Sequence, residues 1–136
     1  MGTATETTII KGNLCVGGLT LVYNGNVVDI SGSMIISGNL NVSGNVIASL
    51  YTTTSDRRIK ENISQITESI DYIKPRKYYN KSTNREEFGL IADEIEEIFP
   101  NLVTGGGNEL KSVSYIQLIA LLIKEVKDLK QKINQI

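Results

Sequence analysis

Histidine is absent from this chain of 136 residues, and Cys15 is its only cysteine. The first absence removes the usual His-based triads and zinc sites, and the second removes any intrachain disulfide. Hydrolytic chemistry would have to use other residues. An excess of one charge sign is also missing: 14 basic residues stand against 15 acidic ones, for a formal net charge of -1. Nucleic acid or an anionic membrane surface would require a basic face that this balance does not supply. No apolar run approaches the roughly 20 residues that cross a bilayer, and the N-terminus lacks a charged-then-apolar signal pattern. A soluble chain with no nucleic-acid, membrane, metal or cofactor partner is expected. It opens in a polar segment, Gly2 to Thr8, as the C-terminal part of something longer would.

What is present falls into two compositions that meet near Thr54. Residues 1–54 hold eight of the twelve glycines and three charged groups, Glu6, Lys11 and Asp29, whereas residues 55–136 hold thirteen basic and thirteen acidic side chains. The first half repeats a short unit of glycine, a small polar residue and an aliphatic: Gly12-Asn13-Leu14, Gly25-Asn26-Val27, Gly32-Ser33-Met34, Gly38-Asn39-Leu40 and Gly44-Asn45-Val46. Two or three β-formers between turn residues are too few to fold alone. A single-chain β-helix of hexapeptides would complete fewer than two coils. Three chains around one axis would close a core from the same units, which favours a homotrimeric β-stem; a few hairpins turning at sites such as Asn24-Gly25 are the plainer alternative.

In the second half, Ile63, Ile66, Ile70 and Ile73 recur at helical spacing before Pro75, which predicts a short amphipathic helix. Tyr78 and Tyr79, a polar loop through Asn84 and the run Phe88-Gly89-Leu90-Ile91 predict a small hairpin. A second helix is marked by Ile91, Ile95 and Ile98 and ended by Pro100, with Asp93, Glu94, Glu96 and Glu97 on its other side as a solvated face rather than a metal site. Gly105-Gly106-Gly107 precedes Lys111-Ser112, but Leu110 stands where a phosphate loop needs glycine, so a flexible loop is expected. From Tyr115, the series Ile119, Leu122, Val126, Leu129, Ile133 and Ile136 alternates by four and three, the a/d seam of a coiled coil over about residues 113–136. Glu125 at a g position and Lys130 at the next e position would pair between chains. The a/d residue types do not choose between dimer and trimer, and a lone core helix of one subunit is the plainer reading.

Chemistry concentrates at the junction. Ser55 and Lys60 lie five residues apart, a nucleophile and a base whose nearest substrate is their own chain. A lysine amine serves as a base once burial or nearby cations lower its pKa from about 10.4 towards 7 to 8. Arg57 and Arg58 are candidate cations, and Asp56 would act the opposite way by favouring the ammonium. The alternative is structural: Ser55 caps the turn ahead of Ile59, and Lys60 pairs with Asp56 or Glu61 at the surface.

The second half resembles the intramolecular chaperone domain at the C-termini of bacteriophage tailspikes, tail fibres and endosialidases, whose relatives include the self-cleaving segment of myelin regulatory factor. The resemblance rests on Ser55-Asp56-Arg57-Arg58-Ile59-Lys60-Glu61-Asn62-Ile63, Pro75 to Tyr79, Phe88 to Ile95, Phe99-Pro100-Asn101-Leu102-Val103 and Tyr115 leading into the terminal helix. It implies an α+β homotrimer in which a β-helix-like stem, residues 1–54, precedes an autoprotease domain, residues 55–136, ending in a coiled-coil helix. It also implies that Ser55 is the nucleophile, Lys60 its base and Thr54-Ser55 the scissile bond. The partners expected are two further copies of the chain and an upstream receptor-binding or enzymatic fibre domain. The expected location is a virion tail fibre or tailspike, with the chaperone released in the host cytoplasm. A non-cleaving trimeric tip or adhesin is the alternative of a different class. A second rival uses cleavage to free an N-terminal effector from an anchored precursor.

Overall fold

The computed structural model describes residues 30–136, and the chain divides into two compact units, Met1–Thr52 and Thr53–Ile136. The expected units at Gly12 and Gly25, the turn at Asn24-Gly25 and Cys15 all lie outside the described residues.

In the described part of the first unit the backbone bends at residues 31–32, 37–38 and 43–44, a Ser-Gly pair each time and six residues apart. Ile30, Ile36 and Val42 precede the bends, while Met34, Leu40 and Val46 follow each glycine by two residues. All six side chains are exposed, from 42% for Val42 to 67% for Leu40. None of residues 30–54 belongs to a strand formed within the chain. Between bends only four residues run on, too few for a ladder with their own neighbours.

The second unit is a small α+β domain. Strand β1 (Arg76–Asn80) pairs antiparallel with β2 (Arg85–Gly89), in a register that sets Tyr78 opposite Glu87 and Asn80 opposite Arg85. The loop between them is closed by Asn80, whose Oδ1 accepts from the backbone N–H of Ser82 at 2.9 Å, and by Asn84 at φ 54, a left-handed conformation that asparagine tolerates. Helix α1 (Ala92–Glu96) and a 3₁₀ turn at Pro100–Leu102 lead to a second hairpin, β3 (Val103–Gly106) and β4 (Glu109–Val113). Helix α2 (Tyr115–Asn134) ends the domain.

Three expectations need correction. The segment with Ile63, Ile66, Ile70 and Ile73 is not a helix; residues 63–69 run without regular structure. Four β-branched isoleucines, together with Ser64, Thr67 and Ser69, make this a weak helix former. Its tertiary anchor is a side chain: the Ile70 N–H donates to Glu125 Oε1 of α2 at 3.2 Å. The glycine run is not a flexible loop but the end of β3, Gly105 and Gly106, and the first turn residue of the second hairpin, Gly107. Gly105, Gly106 and Gly107 all have positive φ, and a Cβ on Gly105 would lie 2.4 Å from the Leu110 carbonyl oxygen, so only glycine fits there. The carboxylate face of α1 is engaged rather than simply solvated. Lys111 Nζ donates to Asp93 and Glu96 at 2.6 Å each, and Arg76 pairs with Glu94 through both its Nε, at 3.0 Å, and its Nη2.

The core is small. Ile95, Leu102, Leu118 and Leu121 are buried, with Ile70, Ile73, Leu90, Phe99, Val103 and Val113 packed around them. Leu118 and Leu121 turn one face of α2 into this core. The a/d seam stays exposed: Ile119, Leu122, Val126, Leu129 and Ile133 each keep between 51% and 63% of their surface in water.

Candidate active site

The junction residues fold as one tight turn. Asp56, in extended conformation, caps a 3₁₀ turn over Arg57–Ile59, and Lys60 closes it. The Ile59 N–H donates to the Asp56 carbonyl at 3.3 Å and the Lys60 N–H to the Arg57 carbonyl at 3.1 Å. Asp56 Oδ1 accepts the Arg58 N–H at 2.8 Å, which satisfies a donor that the turn itself leaves free. Folding the chain this way returns the Lys60 side chain to Ser55, and Lys60 Nζ donates a hydrogen bond to Ser55 Oγ.

Of the six residues singled out from the sequence, Ser55 and Lys60 are therefore brought together, with Thr54 next in the chain. Asp56 and Arg58 form a separate closed pair. Arg58 Nε donates to Asp56 Oδ1 at 3.0 Å and Arg58 Nη2 to Oδ2 at 2.8 Å. Hydrogen bonds from the Arg58 side chain and then from its backbone hold the Asp56 carboxyl below its ordinary range, with a smaller contribution from the charge of Lys60; burial opposes them. The alternative pairing of Lys60 with Asp56 is thus not formed, because Asp56 is taken. Arg57 makes no ion pair among the described residues.

Two residues were missed. Asn62 has φ 51 and turns the chain immediately beyond the dyad; asparagine is among the few residues that enter this region readily, and that was the available signal. Glu125, expected to pair with Lys130 of another chain, accepts within its own chain from the Ile70 N–H and from Lys124 Nζ at 3.4 Å, tying α2 to the segment that follows the Ser55 turn, a contact the sequence did not suggest.

The whole turn is exposed in the single chain, Ser55 and Lys60 included. Water therefore competes for the lysine amine and screens the charges around it. The arrangement holds a nucleophilic oxygen against an amine one peptide bond from the Thr54 carbonyl. It does not by itself exclude solvent.

A comparison with known families supplies the remaining observation. Residues 55–104 match the profile of the family described as chaperone of endosialidase. No curated protein matches the chain. The match opens on Ser55 itself and covers the turn, the first hairpin, α1 and the start of β3. The match, over 50 of the 136 residues, supports a C-terminal intramolecular chaperone domain similar to that family.

Proposed function

We propose that residues 55–136 trimerise, direct the folding of a β-stem ending at Thr54 in a tailspike or tail fibre, and then release themselves by cutting the Thr54-Ser55 bond in cis. The observation that carries the cleavage is the hydrogen bond from Lys60 Nζ to Ser55 Oγ at the residue where the family match begins.

The chemistry follows from that contact. Neutral Lys60 takes the hydroxyl proton as Ser55 Oγ attacks the Thr54 carbonyl carbon, giving a tetrahedral oxyanion. Collapse breaks the Thr54-Ser55 C–N bond, and the Lys60 ammonium returns the proton to the departing Ser55 nitrogen. The product is an ester between the Thr54 acyl group and Ser55 Oγ. Water hydrolyses it to a Thr54 carboxylate and a Ser55 with free hydroxyl and α-amine. Stabilising the oxyanion falls to backbone N–H groups of the assembled site.

Trimerisation is supported by the α2 seam. A helix that buries Leu118 and Leu121 inward and exposes a/d residues from Ile119 to Ile133 requires partners. The six-residue apolar columns of residues 30–46 make the same demand on the stem. Register among near-equivalent Ser-Gly repeats is poorly specified by the stem alone, and clamping the C-termini first raises effective concentration and sets it. Cleavage then removes the clamp, and the stem persists through its unfolding barrier.

Exposure of the dyad in one chain favours a second reading, a trimeric tip that is never cut. Intact mass under denaturing conditions separates the two. Fragments meeting at Thr54-Ser55 in the wild type but in neither Ser55→Ala nor Lys60→Ala support self-release. A single uncut mass in all three, from protein shown to be trimeric, leaves the permanent tip.

A further inference from the structure

We infer that Arg58 is a positioning residue for the Ser55-Lys60 pair: by occupying both carboxylate oxygens of Asp56 it keeps Asp56 from holding Lys60 as an ammonium ion. The inference rests on the self-cleavage reading for its consequence, but its electrostatic content stands on the geometry of the turn.

Asp56 and Glu61 are the acidic groups of the junction, and Asp56 sits in the same capped turn as Lys60. An unpaired carboxylate there would stabilise the charged amine and withdraw it from service as a base. The structure directs Asp56 elsewhere. Its Oδ1 accepts from Arg58 N and Nε and its Oδ2 from Arg58 Nη2, three bonds from one residue at 2.8 to 3.0 Å. A bidentate guanidinium leaves few acceptor directions free, and Lys60 Nζ turns to Ser55 Oγ instead. The charged groups nearest Lys60 in the chain are Asp56, Arg57, Arg58 and Glu61; the principal packing contacts among the elements of the domain do not involve this turn.

Asp56 thus has two separable jobs. Its oxygen caps the turn, which asparagine also does; its charge must be neutralised, which requires Arg58. Removing Arg58 alone unmasks the charge, and removing both charges together restores Lys60.

The direct test is the titration of Lys60 by NMR of selectively labelled lysine in a Ser55→Ala chain, with and without Arg58→Gln and Asp56→Asn. Arg58→Gln is expected to raise the Lys60 midpoint, and Arg58→Gln with Asp56→Asn to return it. In the Ser55 chain, synthesised cell-free, held in urea and refolded across a pH series, the rising limb of cleavage, where Lys60 loses its proton, should move and return in parallel. An unchanged Lys60 midpoint in Arg58→Gln, or a shift that Asp56→Asn does not reverse, overturns the inference whether or not the chain cuts itself. The expected titration shifts in a chain that never cuts would uphold the charge pairing and overturn self-cleavage.

Discussion

At the scale of single residues the proposed cleavage turns on how an amine on the protein surface would become a base. Lys60 already touches Ser55, so the contact does not await assembly; what the single chain lacks is exclusion of water. Lys60→Arg separates contact from chemistry. The guanidinium donates to Ser55 Oγ as the amine does, but it stays protonated at any pH the protein tolerates. We expect Lys60→Arg to assemble and remain uncut, as read by intact mass. Asp56→Asn should retain the turn, whereas Asp56→Ala, which has no oxygen for the Arg58 N–H, should slow cleavage more than Asp56→Asn does; fragment appearance over time in the two variants makes the comparison. The pairing of Ser55 with Lys60 was legible in the sequence from their spacing and place at the junction. The pairing of Asp56 with Arg58 was not, because a carboxylate flanked by Arg57, Arg58 and Lys60 has three possible partners, and only the path of the 3₁₀ turn selects one.

At the scale of elements, the first hairpin is held at its loop end by a polar cluster. Glu87 accepts from Asn80 Nδ2 at 2.9 Å, Thr83 Oγ1 at 2.7 Å and Arg85 Nε at 2.9 Å, and these bonds bring its carboxyl from an ordinary 4.5 down to about 2. The folded hairpin therefore binds the Glu87 proton more weakly than the unfolded one does. Its contribution is fully present above about pH 4.5 and is lost as pH falls towards 2. Amide protection in β1 and β2, taken relative to the intrinsic exchange rate at each pH, should fall across that window, and Glu87→Gln should remove that dependence. The hairpin itself was expected from two apolar stretches around a polar loop. The second hairpin was not, since Gly105-Gly106-Gly107 carries no periodic signal; its geometry comes from positive φ values that glycine permits but does not announce. The failed helix at residues 63–73 shows the reverse error. Isoleucines at helical spacing also suit a segment without regular structure, anchored to α2 by Glu125.

On the scale of the whole molecule, four buried side chains among the described residues form a thin core in the second unit, and each is correspondingly important. Leu102 is 4% exposed between α1, the hairpins and α2. Leu102→Ala should destabilise the domain by about 2–5 kcal/mol, measured by urea unfolding in the uncut Ser55→Ala chain. The exposed seam of α2 predicts that assembly precedes chemistry. Val126→Asp in the middle of the seam would place a charge on the face expected to be buried between chains, and should yield monomers by sedimentation. If cleavage needs the assembled environment, those monomers should stay uncut although Ser55 and Lys60 are unchanged; fragments from a monomeric Val126→Asp chain would show that one chain suffices.

Composition and spacing alone determined the two-part organisation, the α+β character of the second part, the terminal helix with its a/d seam, and the Ser55-Lys60 pair, because each is encoded within a few residues of chain or in a regular period. Tertiary structure alone decided which carboxylate meets which cation: Asp56 with Arg58, Asp93 and Glu96 with Lys111, Glu94 with Arg76. It also decided that Glu125 accepts the Ile70 N–H and that residues 63–69 form no helix. These outcomes depend on contacts between segments distant in sequence or on the turn geometry that selects among equivalent neighbours, and neither is contained in the local pattern.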